Sequence, residues 1–138
     1  MPMASDEGTN RSTVQQVWFW CWRCRWLIWS VYAGAWTLAL LTPQPVEVSD
    51  AVLGPQTGHY ASKTLHVSAY AVFTLLSAWL RAQRPGRWLL LGFLSLHAFA
   101  TEYLQHFVPE RTPSWQDVGF DHIGIAIGII LAWKWWRA

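Results

Sequence analysis

Four long stretches almost free of charge divide this chain, and they constrain its fold more than any other feature. Residues 26–42 contain no Asp, Glu, Lys or Arg. As a helix they reach about 25 Å, and the aromatic lead-in of Trp18, Phe19, Trp20 and Trp22 extends them towards the roughly 20 residues a bilayer needs. A second run, 64–80, is opened by Lys63 and closed by Arg81. A third covers 88–107, and a fourth covers 117–136 before the chain ends in KWWRA. Prolines and charges fill the connections: Pro43, Pro45, Glu47 and Asp50 in 43–62, the basic RAQRPGR at 81–87, and VPERTPSWQ at 108–116. The pattern predicts an all-α integral membrane bundle of four transmembrane helices, at about 18–42, 63–81, 88–107 and 117–136. Residues 1–13 are polar and aperiodic and read as a disordered tail, leaving 14–138 as one domain.

Composition matters here because a water-soluble reading has to be excluded. Charged residues make up only 13% of the 138, where a soluble domain carries roughly 25%. Twelve Trp are present. An indole is amphipathic and is at home where a bilayer meets water. The net charge of +2 is too small to indicate nucleic-acid binding, and no basic aromatic patch of that kind occurs. A signal peptide is the competing reading of the first run, but LLTPQP lacks a small-x-small cleavage pattern, so the run reads as a retained helix. Cys21 and Cys24, in WCWRCRW, are too few for a structural zinc site, and no thioredoxin-like βαβ pattern surrounds them. They read as interfacial cysteines.

Lys and Arg set the expected orientation. With the N-terminus inside, Arg11, Arg23, Arg25, Arg81, Arg84, Arg87, Lys134 and Arg137 fall on the inner side, and only Lys63 and Arg111 fall outside. Such an excess marks cytoplasmic loops, so both termini are expected in the cytoplasm. Trp79, Trp88, Trp133, Trp135 and Trp136 then lie at the inner helix ends, beside the arginines.

Polar residues inside the runs gather on the opposite, outer side. Lys63, His66 and Tyr70 are spaced i, i+3, i+7, on one helix face. Glu102, Gln105 and His106 are spaced i, i+3, i+4. Asp117 and Asp121 are i, i+4, and Gly124 and Gly128 continue their stripe, as helices in close approach require. Arg111 lies in the loop between. Ionisable groups inside a bilayer are costly, and a set of them on one side indicates a shared site. The plainer alternatives are snorkelling for Lys63, Arg111 and Asp117, and interhelical hydrogen bonding for His66 and Tyr70. His97, deeper in its helix, reads as a satisfied interhelical histidine.

The segments SKTLHVSAY and ATEYLQHFVPERTPSWQDVGFDHIGIAIG carry the pattern K-x-x-H-x-x-x-Y, E-x-x-Q, R-x-x-S-x-x-D, G-x-x-x-G. Over residues 63–128 this resembles the VanZ-like family, small bacterial membrane proteins named for a member linked to teicoplanin resistance. Carried over, the marked positions are Lys63, His66, Tyr70, Glu102, Gln105, Arg111, Ser114, Asp117, Gly124 and Gly128. Two positions depart from the pattern: Ser62 stands where the family usually has Asp, and Asp121 where it usually has Asn. The resemblance implies a role at the cell envelope, in the bacterial cytoplasmic membrane.

Three functions fit this reading. One is binding or modulation of an envelope lipid or a cell-wall precursor, with Lys63, Tyr70, Gln105, Arg111, Asp117 and Asp121 as ligand-binding residues. Another is an acid–base or metal-dependent hydrolase or transferase in which Glu102 and His66 are catalytic. The last is a metal site built from Glu102, His106, His66 and Asp117, donors that suit zinc or manganese. Lys63 and Arg111 against Glu102, Glu110, Asp117 and Asp121 sum to −2, which disfavours a bare polyphosphate. No G-x-S-x-G or H-E-x-x-H motif is present, and no cofactor is expected. Binding ranks ahead of catalysis. The number of subunits is not legible in the sequence.

Overall fold

The computed structural model describes residues 7–42, 55–109, 111 and 113–137. Every regular element among them is an α-helix: α1 (Glu7–Arg23), α2 (Arg25–Leu41), α3 (Pro55–Trp79), α4 (Arg84–Gln105), α5 (Trp115–Leu131) and α6 (Trp133–Arg137). Pro43, Pro45, Glu47, Asp50 and Glu110 lie outside the described residues.

Local chemistry explains where the helices stop. Thr42 precedes Pro43 and is extended (φ −80°, ψ 133°), because a following proline ring disfavours helical geometry. Its hydroxyl donates back to Leu38 O at 2.6 Å. Proline near the first position of α4 is preset for a helix start and has no N–H to lose. Ser114 is extended and precedes α5. Arg81, with φ 51°, takes the left-handed turn after α3 that glycine usually fills, and its guanidinium lies over the Trp22 ring.

Two junctions are bends rather than ends. At Cys24 the Cys24 N–H still donates to Trp20 O at 2.9 Å and the Ile28 N–H to Cys24 O at 2.8 Å. At Ala132 the Ala132 N–H reaches Gly128 O and the Trp136 N–H reaches Ala132 O. Cys24 thus sits at the bend, and both cysteines are free and half-buried.

The helix limits differ from the expected ones: the first run divides into α1 and α2 at Cys24, and α4 begins at Arg84, inside the basic connection. α1 begins at Glu7, inside the polar segment read as a tail, because extending a formed helix costs far less than nucleating one. α3 begins eight residues before Lys63, at Pro55. The fourth run divides into α5 and α6.

No described helix is long and apolar enough to cross a membrane. The most apolar helices, α2 and α5, have 17 residues each, cut short by the bends at Cys24 and Ala132. The longer α3 and α4, with 25 and 22 residues, are diluted by His, Ser, Thr and Gln.

Packing centres on α3 and α5. A side chain at Gly124 would overlap Val67 O, and one at Gly128 would come within 2.5 Å of Thr74 Cβ. Glycine at both positions therefore brings the two backbones together. Tyr70, Phe73, Leu94, Ala98 and Ile125 form the buried core, and Trp29, Tyr32, Ala33 and Trp36 of α2 close over it. The outward faces remain apolar: Leu38, Leu89, Leu96, Ile130 and Leu131 are all exposed.

Candidate functional site

Four elements bring polar side chains to the end of the bundle where α3 and α5 begin and α4 finishes. Helical periodicity does the first part of this work. On α5 the buried positions are Asp117, Val118, Asp121, Gly124, Ile125 and Gly128. The carboxylates thus share the stripe that the glycines press against α3, and they must face α3's polar residues. Lys63 Nζ pairs with Asp117 Oδ1, and His66 Nδ1 lies 2.8 Å from Asp121 Oδ1. Two rungs, one helical turn apart, join the helices. His66 and Asp121 are almost wholly out of water, at 5% and 1% exposure. Charges so buried are tolerated only when paired.

Glu102 comes from the last turn of α4. It is buried, and one of its oxygens accepts the Ser114 N–H at the entry to α5. It lies within electrostatic reach of Asp117, His66 and Asp121. Gln105, one turn on, is also buried. Arg111 takes a different partner from the acids: its guanidinium donates to Ala39 O at 3.1 Å and to Thr42 O at 3.4 Å, tying the last loop to the end of α2. Burial lowers its pKa, while Glu102 and Asp117 oppose that shift. The structure therefore places Lys63, His66, Glu102, Asp117 and Asp121 together, with Gln105 and Arg111 at the margin.

Tyr70 belongs to a second network. Its hydroxyl lies 2.8 Å from His97 Nδ1, and His97 Nε2 lies 2.8 Å from Thr37 Oγ1. The Thr37 hydroxyl donates to Ala33 O at 2.7 Å, so it must accept from His97 Nε2–H. His97 Nδ1 then accepts from Tyr70. The chain closes with His97 neutral, bridging α2, α3 and α4. His122 is satisfied in the same manner, donating from Nδ1 to Val118 O and accepting from Ser95.

His66 is arranged otherwise. Asp121 accepts the hydrogen bond from Nδ1–H and so orients the ring, while Nε2 has no hydrogen bond among the described residues. A carboxylate behind one imidazole nitrogen leaves the other free to accept or donate a proton. Beside it lies Trp36, edge-on, with ring centroids 6.0 Å apart. Trp36 Nε1 is one of two buried side-chain polar atoms among the described residues that lack a partner. Trp36 escaped sequence reasoning because nothing distinguishes it from the other eleven tryptophans. Ser114 contributes through its backbone N–H, which no side-chain motif reveals.

The metal set that was the third alternative is not assembled. Among the described residues no three His, Cys, Asp or Glu converge as ligands. His106 lies just past the end of α4, exposed, with Nδ1 3.1 Å from Tyr103 O, so it turns away from Glu102 despite the i+4 spacing.

A family model described as VanZ/LLP1 matches residues 12–137. No curated protein and no solved structure shows a significant match.

Proposed function

The chain belongs to the VanZ/LLP1 family, and on that premise we propose that it is a four-span protein of the bacterial cytoplasmic membrane whose outer polar site binds or modulates an envelope lipid or a peptidoglycan-related ligand. The observation that carries this reading is the buried Trp36 Nε1, a donor with no partner among the described residues, on a ring packed edge-on against His66, whose Nε2 makes no hydrogen bond there. A polar headgroup can supply the acceptor that the indole N–H lacks. A neutral polar group such as a sugar suits the site better than a bare phosphate, since Lys63 and His66 are already engaged by Asp117 and Asp121 and Arg111 by backbone carbonyls.

The apolar outward faces support the membrane setting. Contiguous apolar surface of this kind demands lipid or a partner. The 17-residue lengths of α2 and α5 do not oppose it, because the backbone ladder continues through the bends at Cys24 and Ala132. Both termini are cytoplasmic in this reading. A reporter fused after Ala138 should be active only as a cytoplasmic fusion, and a tag in 43–62 should be reachable from outside; an external C-terminus overturns it.

Glu102→Gln tests the site. The protein should still insert and accumulate, but survival under teicoplanin or envelope stress should fall to that of cells lacking it. Glu7→Gln should change nothing. Full activity of Glu102→Gln would reduce Glu102 to a packing acid.

The oriented His66 favours a second reading, a membrane-embedded acid–base enzyme using His66 and Glu102. Native mass spectrometry of the purified chain with envelope lipid extract separates the two. Stoichiometric retention without product supports binding. Product formation that stops in His66→Gln supports catalysis.

A further inference from the structure

The opposite end of the bundle holds a cavity of about 450 Å3 where the start of α4 meets the end of α5 and α6. Arg84, Arg87 and Arg137 line it. No Asp or Glu occurs anywhere in residues 51–101 or after Asp121, so no side-chain carboxylate from these segments answers the three guanidinium groups. Their placement is nonetheless defined. Arg87 donates to Ala82 O at 2.9 Å and to Trp136 O at 2.6 Å, which holds α6 against the start of α4. Arg137 is stacked over Trp133, 4.7 Å from the ring centroid. Arg84 makes no hydrogen bond or ion pair among the described residues.

One wall of the cavity adds a second, independent observation. Trp136 Nε1 is buried and has no hydrogen-bond partner among the described residues. A buried N–H left unpaired costs roughly 1–3 kcal/mol, so the group calls for an acceptor that the described chain does not supply. Leu91 and Ile129 make the cavity floor apolar, and Trp88 stands exposed at its edge. Cationic rim, orphan donor and apolar floor together match one ligand chemistry, a phosphate joined to acyl chains.

We infer that this groove is a site for the headgroup of an anionic phospholipid, with the phosphate between Arg84 and Arg137 beside the Trp136 indole, and an acyl chain along Leu91 and Ile129. The inference rests on the membrane reading above, but not on what the polar end binds. Basic pockets between helices on the cytoplasmic side suit anionic headgroups because each nearby Lys or Arg is attracted to the negative leaflet.

Native mass spectrometry of the full chain in detergent, titrated with phosphatidylglycerol, phosphatidylcholine or inorganic phosphate, tests it. One phosphatidylglycerol should bind about tenfold more tightly than phosphatidylcholine. Arg84→Gln/Arg137→Gln should weaken phosphatidylglycerol at least about fivefold and leave phosphatidylcholine unchanged. Trp136→Phe keeps the ring and should weaken it about threefold. His106→Gln, exposed at the far end and outside the polar cluster, should bind as the unaltered chain does. Equal binding of the two lipids, or no loss in the double-arginine variant, overturns the proposal. Displacement of the lipid by inorganic phosphate would assign the site to free phosphate and also overturn it. Carbonate washing of cell membranes is run in parallel. A chain released by carbonate refutes the membrane reading, whereas a retained chain without lipid preference refutes this site alone.

Discussion

At one end of the bundle Lys63 and His66 stand against Asp117 and Asp121, deep between α3 and α5; at the other, Arg84, Arg87 and Arg137 share a Trp-lined groove and make no ion pair among the described residues. The difference follows from burial. Where two helices touch backbone to backbone, water is excluded, and a charge persists only if the neighbouring helix supplies its opposite. Where helices splay, a cation can remain solvated, and like charges can collect without internal partners. One end is thus balanced within the chain, and the other has no internal counter-charge among the described residues. Each also keeps one buried indole N–H unpartnered, Trp36 at the polar end and Trp136 at the basic end.

The most severe way to break the comparison is to separate α3 from α5. Gly124→Leu places a side chain against Val67 O and Tyr70 Cβ, and backbone cannot give way as a side-chain tip can. The loss should exceed about 4 kcal/mol, read as the absence of monodisperse protein on size-exclusion chromatography. Gly92→Leu, on α4 with open space for 4 Å around where its Cβ would lie, should stay within about 0.5 kcal/mol of the parent.

Next comes removal of one charge from a rung. Asp117→Ala leaves Lys63 without its partner and should cost about 3–5 kcal/mol by thermal unfolding. Lys63→Met/Asp117→Leu should recover most of that. If the single and double variants melt alike, the pair is not coupled and the polar end loses its defining feature.

A smaller effect is expected from Tyr70→Phe, which strips the donor from His97 Nδ1 while the core packing stays. About 1–3 kcal/mol should be lost, with the fold intact by circular dichroism. Smallest of all is Arg84→Gln at the basic end. An unpaired, solvated cation contributes little, so the midpoint should move by no more than about 0.5 kcal/mol equivalent. A loss as large as that of Asp117→Ala would show that the basic end too is balanced internally.

Helix faces could be read without the structure. The i, i+3, i+7 spacing placed Lys63, His66 and Tyr70 on one side of a helix, and the i, i+4, i+7, i+11 stripe from Asp117 to Gly128 marked the side of α5 that is buried. The all-helical class was equally legible, from runs too long and too apolar for anything else. Spacing did not reveal which partner each residue takes. Tyr70 shares a face with His66 yet turns to His97, and Arg111 leaves the acids for the carbonyls of Ala39 and Thr42. Glu102 meets a backbone N–H twelve residues away, a partner that no side-chain spacing can indicate. His106, in register with Glu102 on paper, lies beyond the helix end and faces solvent. The reason is physical. Periodicity within one helix follows from backbone geometry and needs only local sequence. The pairing of Lys63 with Asp117 and of His66 with Asp121 depends on the register between two helices more than fifty residues apart, and that register is set where Gly128 seats against Thr74 and Gly124 against Val67.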